Sequence, residues 1–354
     1  MTSSSRVNLG GSPTHHGHSF VVHFGATMSL LRLAATRSLV CGTRRYATNN
    51  GPQATQKKSS NLPYILLGAG VAGLAGYLYW DYSGKSAPKV QEKSPLDPKN
   101  FVDFKLKKVI PYNHNTSKFV FELPEDEASL LPVASCVVVK ASDPEALKDD
   151  KGKPIIRPYT PISPSDQKGE LTFLIKRYDN GKMSKHVHNL KEGDTLAIKG
   201  PIEKFPYKHN EFDEVALIGG GAGITPLLQL LTHALSDPAN KTKFKLLFSN
   251  VTEKDILLRE EFDALQRKFP GTFEAIYLVD NPEKDWPGYG GYINKDVVKE
   301  HVAPPSLGEK VKVFVCGPPG HVEAVAGKKP GMKQGELGGI LKELGYTEDQ
   351  VYKF

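Results

Sequence analysis

Arg157-Pro158-Tyr159-Thr160-Pro161-Ile162-Ser163 puts one guanidinium, one phenol and two hydroxyls into seven residues. It lies between two apolar runs, residues 135–140 (SCVVVK) and 171–176 (LTFLIK), whose β-branched and aromatic content predicts strands. In an extended segment alternate residues share a face, so Arg157, Tyr159 and Pro161 point the same way. A guanidinium fork holds a phosphate through paired donors, and an aromatic ring lies against a planar ring system. Prolines on both sides of Tyr159 stiffen the display. The stretch therefore suits a flat ligand that carries phosphate. An edge strand with two prolines and a surface arginine fits these seven residues equally well, and the neighbouring motifs decide between the two.

Gly181-Lys182-Met183-Ser184 follows the second run, with Ser184 placed to open a helix-like segment, 185–190, whose free N–H groups favour anions. Residues 214–218 (EVALI) read as a buried strand that runs into Gly219-Gly220-Gly221-Ala222-Gly223-Ile224-Thr225-Pro226. Residues 311–315 (VKVFV) run into Cys316-Gly317-Pro318-Pro319-Gly320. In this order and at these spacings, the four motifs resemble those of the ferredoxin-reductase-type flavoenzymes, and within them the NADH-cytochrome b5 reductases, over about residues 97 to 354. Residues 250–259 (NVTEKDILLR) resemble a segment of the same family, and the chain ends on an aromatic, Phe354, as its members do.

The resemblance implies site roles residue by residue. Arg157, Tyr159, Thr160 and Ser163 belong to the FAD motif, with Arg157 on the phosphates, Tyr159 beside the flavin and Thr160 near flavin N5. Lys182, Met183 and Ser184 form the short turn whose amides and hydroxyl take the pyrophosphate. Gly221, Gly223 and Thr225 face NADH, and Cys316, Gly317 and Pro318 sit beside the nicotinamide and flavin. Thr160, Thr225 and Cys316 are the expected catalytic set, with Cys316 shaping hydride geometry and forming no covalent intermediate. The glycine turn is not a GxGxxG fingerprint, because Pro226 stands three residues after Gly223, although Thr225-Pro226 suits a helix start. Asp280, after the strand ending at Val279, is expected to accept from an adenosine ribose hydroxyl and to repel a 2′-phosphate, favouring NADH over NADPH; a turn aspartate is the plainer reading. The loop between Tyr178 and Gly181 is only Asp179-Asn180, so the lysine that the soluble animal-type enzymes carry there has no counterpart, and none is assigned.

Composition narrows the field further. The chain has 354 residues and a formal net charge of +7, but residues 1–80 hold seven basic residues and no acidic ones, and the other 39 basic residues are matched by 39 acidic ones. The folded part is neutral, which removes the support for nucleic-acid binding. Three cysteines, Cys41, Cys136 and Cys316, are too few for an iron–sulfur cluster, and no metal site is expected. Short alternating strands between Pro and Gly turns up to Phe205 predict a small antiparallel β-barrel. Beyond it strands at 214–218, 244–249, 273–279 and 311–315 alternate with helices at 225–236, 257–268 and near 295–300, predicting a doubly wound parallel sheet that binds nucleotide at its strands' carboxyl ends.

An acid-free N-terminus rich in Ser, Thr and Arg reads as a mitochondrial presequence over residues 1–47, with 1–27 an upstream extension if Met28 is the start. A linker, 48–61, leads to a charge-free stretch, 62–80, long enough for one membrane span, and a tether, 81–97, leads to the FAD-binding barrel, 98–206, and the NADH-binding domain, 207–354. The resemblance implies an enzyme in which NADH reduces FAD and electrons pass singly to a separate haem protein such as cytochrome b5, in a monomer anchored at the mitochondrial outer membrane with a processed form in the intermembrane space. A reductase serving ferric iron or a quinone shares the same motifs, and a membrane-tethered NADH-sensing scaffold is the non-catalytic alternative.

Overall fold

The change from alternating strands to strand–helix repeats divides the chain into two sheets, and the computed structural model describes both within residues 93–354. In the first half β1 (Val102–Pro111), β2 (Thr116–Glu122), β3 (Ser135–Ala141), β4 (Arg157–Tyr159), β5 (Glu170–Lys176) and β6 (Thr195–Glu203) form an antiparallel sheet in the order β4-β3-β6-β1-β2-β5. Its hydrogen bonding is that of an open sheet: β4 and β5 are its two ends. The sheet curls far enough for Tyr159 of β4 and Phe173 of β5 to meet edge to face, with ring centroids 6.3 Å apart. Phe104, Leu106, Phe119, Phe121, Val137, Leu171 and Phe173 fill the interior, which is why the strands alternate. Helix α1 (Lys182–Asn189) closes one end by burying Met183 and Val187 in that core.

The second half is a parallel sheet in the order β10-β9-β8-β7-β11-β12, built from β7 (Glu214–Gly220), β8 (Lys243–Asn250), β9 (Phe273–Val279), β10 (Tyr289–Gly290), β11 (Val311–Cys316) and β12 (Val351–Lys353). Helices α2 (Ile224–Ser236), α3 (Arg259–Lys268), α4 (Lys295–His301), α5 (Pro319–Ala326) and α6 (Gly339–Glu343) connect the strands. Separate apolar clusters lie on its two faces, one around α2 and α3 and one around α4, α5 and α6, as expected of a sheet buried on both sides. The strand order reverses between β7 and β11, where the register pairs Gly219 with Cys316.

Two helix starts differ from the sequence reading by more than one residue. Helix α1 starts at Lys182 and holds Ser184 inside its first turn, because the Ser184 hydroxyl donates to Gly181 O at 3.0 Å and accepts from Tyr178 N at 3.1 Å instead of capping a later start. Helix α3 starts at Arg259, two residues late, because Leu258 adopts a left-handed backbone and gives its N–H to Tyr112 Oη of the other lobe at 2.8 Å. Strands β10 and β12 and helices α5 and α6 had no periodicity long enough to read.

Both sheets belong to one compact unit. The lobes are joined by a buried ion pair, Lys176 Nζ to Asp255 Oδ1 at 2.9 Å, and by Ser135 N donating to Gln229 Oε1 at 3.2 Å. Burial works against the Asp255 charge, but the Lys176 ammonium and the Thr252 hydroxyl outweigh it and hold the carboxyl below its usual range. The expected presequence, linker and span at 62–80, and the expected tether up to residue 92, lie outside the described residues. Among the described residues no helix is long and apolar enough to cross a membrane.

Candidate active site

Where the two lobes meet, the end of β4, the first turn of α2 and the end of β11 line a cleft of about 370 Å³. Tyr159 and Thr160 supply one wall, Thr225 and Cys316 the other, and Phe354 closes one side. Thr160 and Thr225 are both 7% exposed, and the Thr225 hydroxyl donates to Ala222 O at 3.5 Å. Burial pushes the Tyr159 phenol up to about 12, with Tyr178 adding to the shift, and pushes the Cys316 thiol up to about 12. Both groups are neutral at physiological pH, and a protonated thiol is a poor nucleophile. The three residues expected to be catalytic are thus brought into one cleft.

Beside it the turn into α1 offers a different surface. The α1 N-cap, Gly181, makes no side-chain cap hydrogen bond, and no acidic residue lies in the first turn, so the leading amides and the positive helix end are open to an anion. A Cβ at Gly181 would collide with Ser184 Oγ, which explains the glycine. The side chains of this turn are engaged within the protein. Met183 is buried in the core, Ser184 Oγ is engaged by Tyr178 N and Gly181 O, and Lys182 Nζ reaches Asp150 Oδ1 at 3.0 Å. The backbone amides are therefore the groups that this turn leaves open.

Two residues of the opening heptapeptide stand apart. Arg157 is exposed, does not line the cleft, and its Nη1 donates to Ile156 O at 2.9 Å. Ser163 faces another crevice, and its Oγ accepts from Thr172 N at 3.0 Å, fixing the turn into β5.

A second cleft, of about 490 Å³, opens at the point where the sheet order reverses, lined by Gly220, Gly221, Ser249, Asn250, Asp280 and Pro318 among others. Asp280 borders it, and burial raises its carboxyl above the usual range. Gly221 takes a left-handed backbone, φ 50°, and lines the cleft as expected. Gly223 has a different reason for being glycine: a Cβ there would lie 2.5 Å from the Cys316 carbonyl and 2.6 Å from Gly317 Cα. Gly317 lines the first cleft and is packed on His321, where a Cβ would lie 2.8 Å from the imidazole.

Four residues that the sequence did not assign stand at these clefts. Lys176 and Tyr178 line both, forming the shared wall between them. His321 is wedged over Gly220 and Gly317, with Nδ1 3.3 Å from Ser249 Oγ, and burial pushes its imidazole down to about 4. Asn250 is buried with both side-chain polar atoms unpartnered, the kind of group a ligand satisfies. Lys176 alone had a usable signal, as a cation ending a strand beside the phosphate-binding turn.

Comparison with known proteins agrees with this geometry. Residues 103–207 match the oxidoreductase FAD-binding domain and residues 217–327 the oxidoreductase NAD-binding domain. A relative from Mycosarcoma maydis named NADH-cytochrome b5 reductase 2 is 46% identical over 339 residues, covering 91% of this chain and 95% of its own. The protein of that name from Phaeosphaeria nodorum is 44% identical, covering 90% and 97%. The chain belongs to the NADH-cytochrome b5 reductase family. The crystal structure of the cytochrome b5 reductase domain of Ulva prolifera nitrate reductase is similar with a TM-score of 0.64 and 26% identity, over 74% of this chain and all of that one. As a member of the NADH-cytochrome b5 reductases, the chain is an FAD-dependent oxidoreductase, and its residues fit the cofactors. The uncapped α1 turn and the Tyr159–Cys316 cleft suit a phosphate-bearing flavin, and the cleft at the sheet reversal, with Asp280 and the unpartnered Asn250 amide, suits a dinucleotide.

Proposed function

We propose that this chain oxidises NADH and delivers the electrons one at a time to cytochrome b5, with FAD as its resident cofactor. The observation that carries the reading is the wall of Lys176 and Tyr178 common to the two clefts, which sets a dinucleotide site directly against a flavin site. Bound FAD supplies the conversion of a two-electron hydride into single-electron transfers, chemistry that no side chain here offers. The protein's part is to bind, orient and exclude water. Thr160 and Thr225 place hydroxyls on opposite walls, and the α1 amides hold phosphate. Cys316, protonated, gives a small apolar contact at the junction and takes no part as a nucleophile.

Asp280 sets the choice of nucleotide by opposing a 2′-phosphate. The test is the visible spectrum of the purified chain mixed anaerobically with NADH or NADPH. Oxidised-flavin bands should bleach much faster with NADH, and Asp280→Ala should shrink that preference by about tenfold. A folded, colourless protein that cannot be reconstituted with FAD defeats the reading. We also propose that the chain is mitochondrial and membrane-anchored, which the acid-free segment 1–47 and the charge-free segment 62–80 support. Recovery of the native protein in a carbonate-soluble, non-mitochondrial fraction would rule this out.

A further inference from the structure

A diphosphate brings two negative charges into whatever cleft receives it, and the cleft at the sheet reversal has one cation to meet them. Among the described residues that line it, Lys176 alone carries a positive charge: burial keeps His321 neutral, and Asp280 is the one carboxylate. Yet the Lys176 ammonium is already engaged. Its Nζ lies 2.9 Å from Asp255 Oδ1 of the other lobe, and the two side chains are only 12% and 6% exposed. One ammonium therefore serves a buried carboxylate and borders a cleft suited to an anion.

The surroundings of Asp255 fit an exchange of partners. Its Oδ2 accepts from the Thr252 hydroxyl at 2.8 Å and from Thr252 N at 3.2 Å, and its Oδ1 accepts from Asn115 Nδ2 at 3.3 Å. Three neutral donors stay with the carboxylate when the ammonium turns away, so it is not left bare in the interior. The ion pair is also not the sole link between the lobes in this corner. Asn113 Nδ2 donates to Lys254 O at 3.1 Å, and Leu258 N donates to Tyr112 Oη at 2.8 Å. Lobe cohesion alone thus does not account for a lysine set in the wall of both clefts.

We propose that Lys176 receives the diphosphate of the dinucleotide and that Asp255 competes for the same ammonium, so that binding exchanges an interlobe ion pair for a ligand contact. The inference rests on the proposed reading of this cleft as the dinucleotide site. Asp255 is a positioning residue that acts through Lys176: it keeps the ammonium in the shared wall and, by holding on to it, lowers the affinity for the nucleotide.

The experiment is a calorimetric titration of the full FAD-loaded chain with NAD+, which leaves the oxidised flavin unchanged. Lys176→Met should weaken NAD+ binding about tenfold and flatten its dependence on salt. Lys176→Arg, which keeps the charge, should stay close to the unaltered chain. Asp255→Asn still accepts from Thr252 but gives up the charge, and it should tighten binding by about fivefold. The opposite signs decide the matter, because a pair that only braced the lobes would be broken by either variant and both would bind more weakly. If Asp255→Asn does not fold, the salt dependence carries the test, since the loss of a brace would leave it as steep as before. Weakening by both variants, or an unchanged affinity and salt dependence in Lys176→Met, overturns the exchange while the dinucleotide reading stands. If the unaltered FAD-loaded chain binds no NAD+, both fall.

Discussion

In the turn before α1, glycine leaves room for the tip of a hydroxyl; in the turns after β7 and β11, it leaves room for an imidazole and a neighbouring peptide. Gly181 is limited first by Ser184 Oγ, a side-chain atom that can turn aside at the cost of its two hydrogen bonds. Gly223 is limited by the carbonyl and Cα of residues 316 and 317, which are backbone and do not rotate away. The first turn keeps its amides open and has no side-chain cap, whereas the second brings two strand ends into contact across the point where the sheet order reverses. The two glycines thus differ in what they make room for, a side chain at Gly181 and fixed backbone at Gly223.

That contrast fails if the two positions respond alike. Gly223→Ala should lower the unfolding free energy by about 3 kcal/mol, because an extra methyl forced against fixed backbone costs at the upper end of overpacking. The check is urea denaturation of the FAD-free chain. Gly181→Ala should cost about 1 kcal/mol in the same measurement, since Ser184 can turn aside and give up its hydrogen bonds to Tyr178 N and Gly181 O. Its larger effect should be on FAD content after purification, because the displaced hydroxyl and the added methyl crowd the open amides. Equal losses of stability at the two positions would show that the Cys316 contact yields as easily as a serine rotamer.

The legible parts of this chain are those encoded locally. Strands β7, β8, β9 and β11 stand out as continuous apolar runs because both faces of their sheet are buried, and β2 and β5 stand out by alternation. Thr160, Thr225 and Cys316 were singled out by the resemblance of their motifs, and the fold brings all three to one cleft. What could not be read depends on register. His321 matters only because β7 and β11 pair Gly219 with Cys316 and so set two glycine turns under one ring, and no spacing along the chain announces this. Lys176 gains its place from Asp255, 79 residues away, and Lys353 from a loop whose glycines gave no helical or strand period. The local contacts of Arg157 with Ile156 O and of Ser163 with Thr172 N likewise appear only in the fold.

The smallest expected effect sharpens the contrast on its imidazole side. His321 is pressed between Gly220 and Gly317, its Nε2 is buried without a partner, and the groups facing it are the Ser249 hydroxyl and the Ile218 carbonyl, neither of them charged. Burial lowers its folded pKa to about 4 from an ordinary 6.5. Between those values the unfolded chain binds a proton at this residue and the folded chain does not, so stability rises with pH through the window and is lost as pH falls from about 6.5 toward 4. His321→Gln keeps a hydrogen-bonding side chain of similar reach and removes the titration. The variant should therefore lose less stability than the unaltered chain when the urea midpoint is compared at pH 7 and pH 5. His186, His188 and His233, also lowered by burial, contribute the same slope to both proteins and cancel in the difference. An identical loss in the two proteins would mean that the ring reaches water in the folded state, and that Gly220 and Gly317 are kept small for a ligand after all.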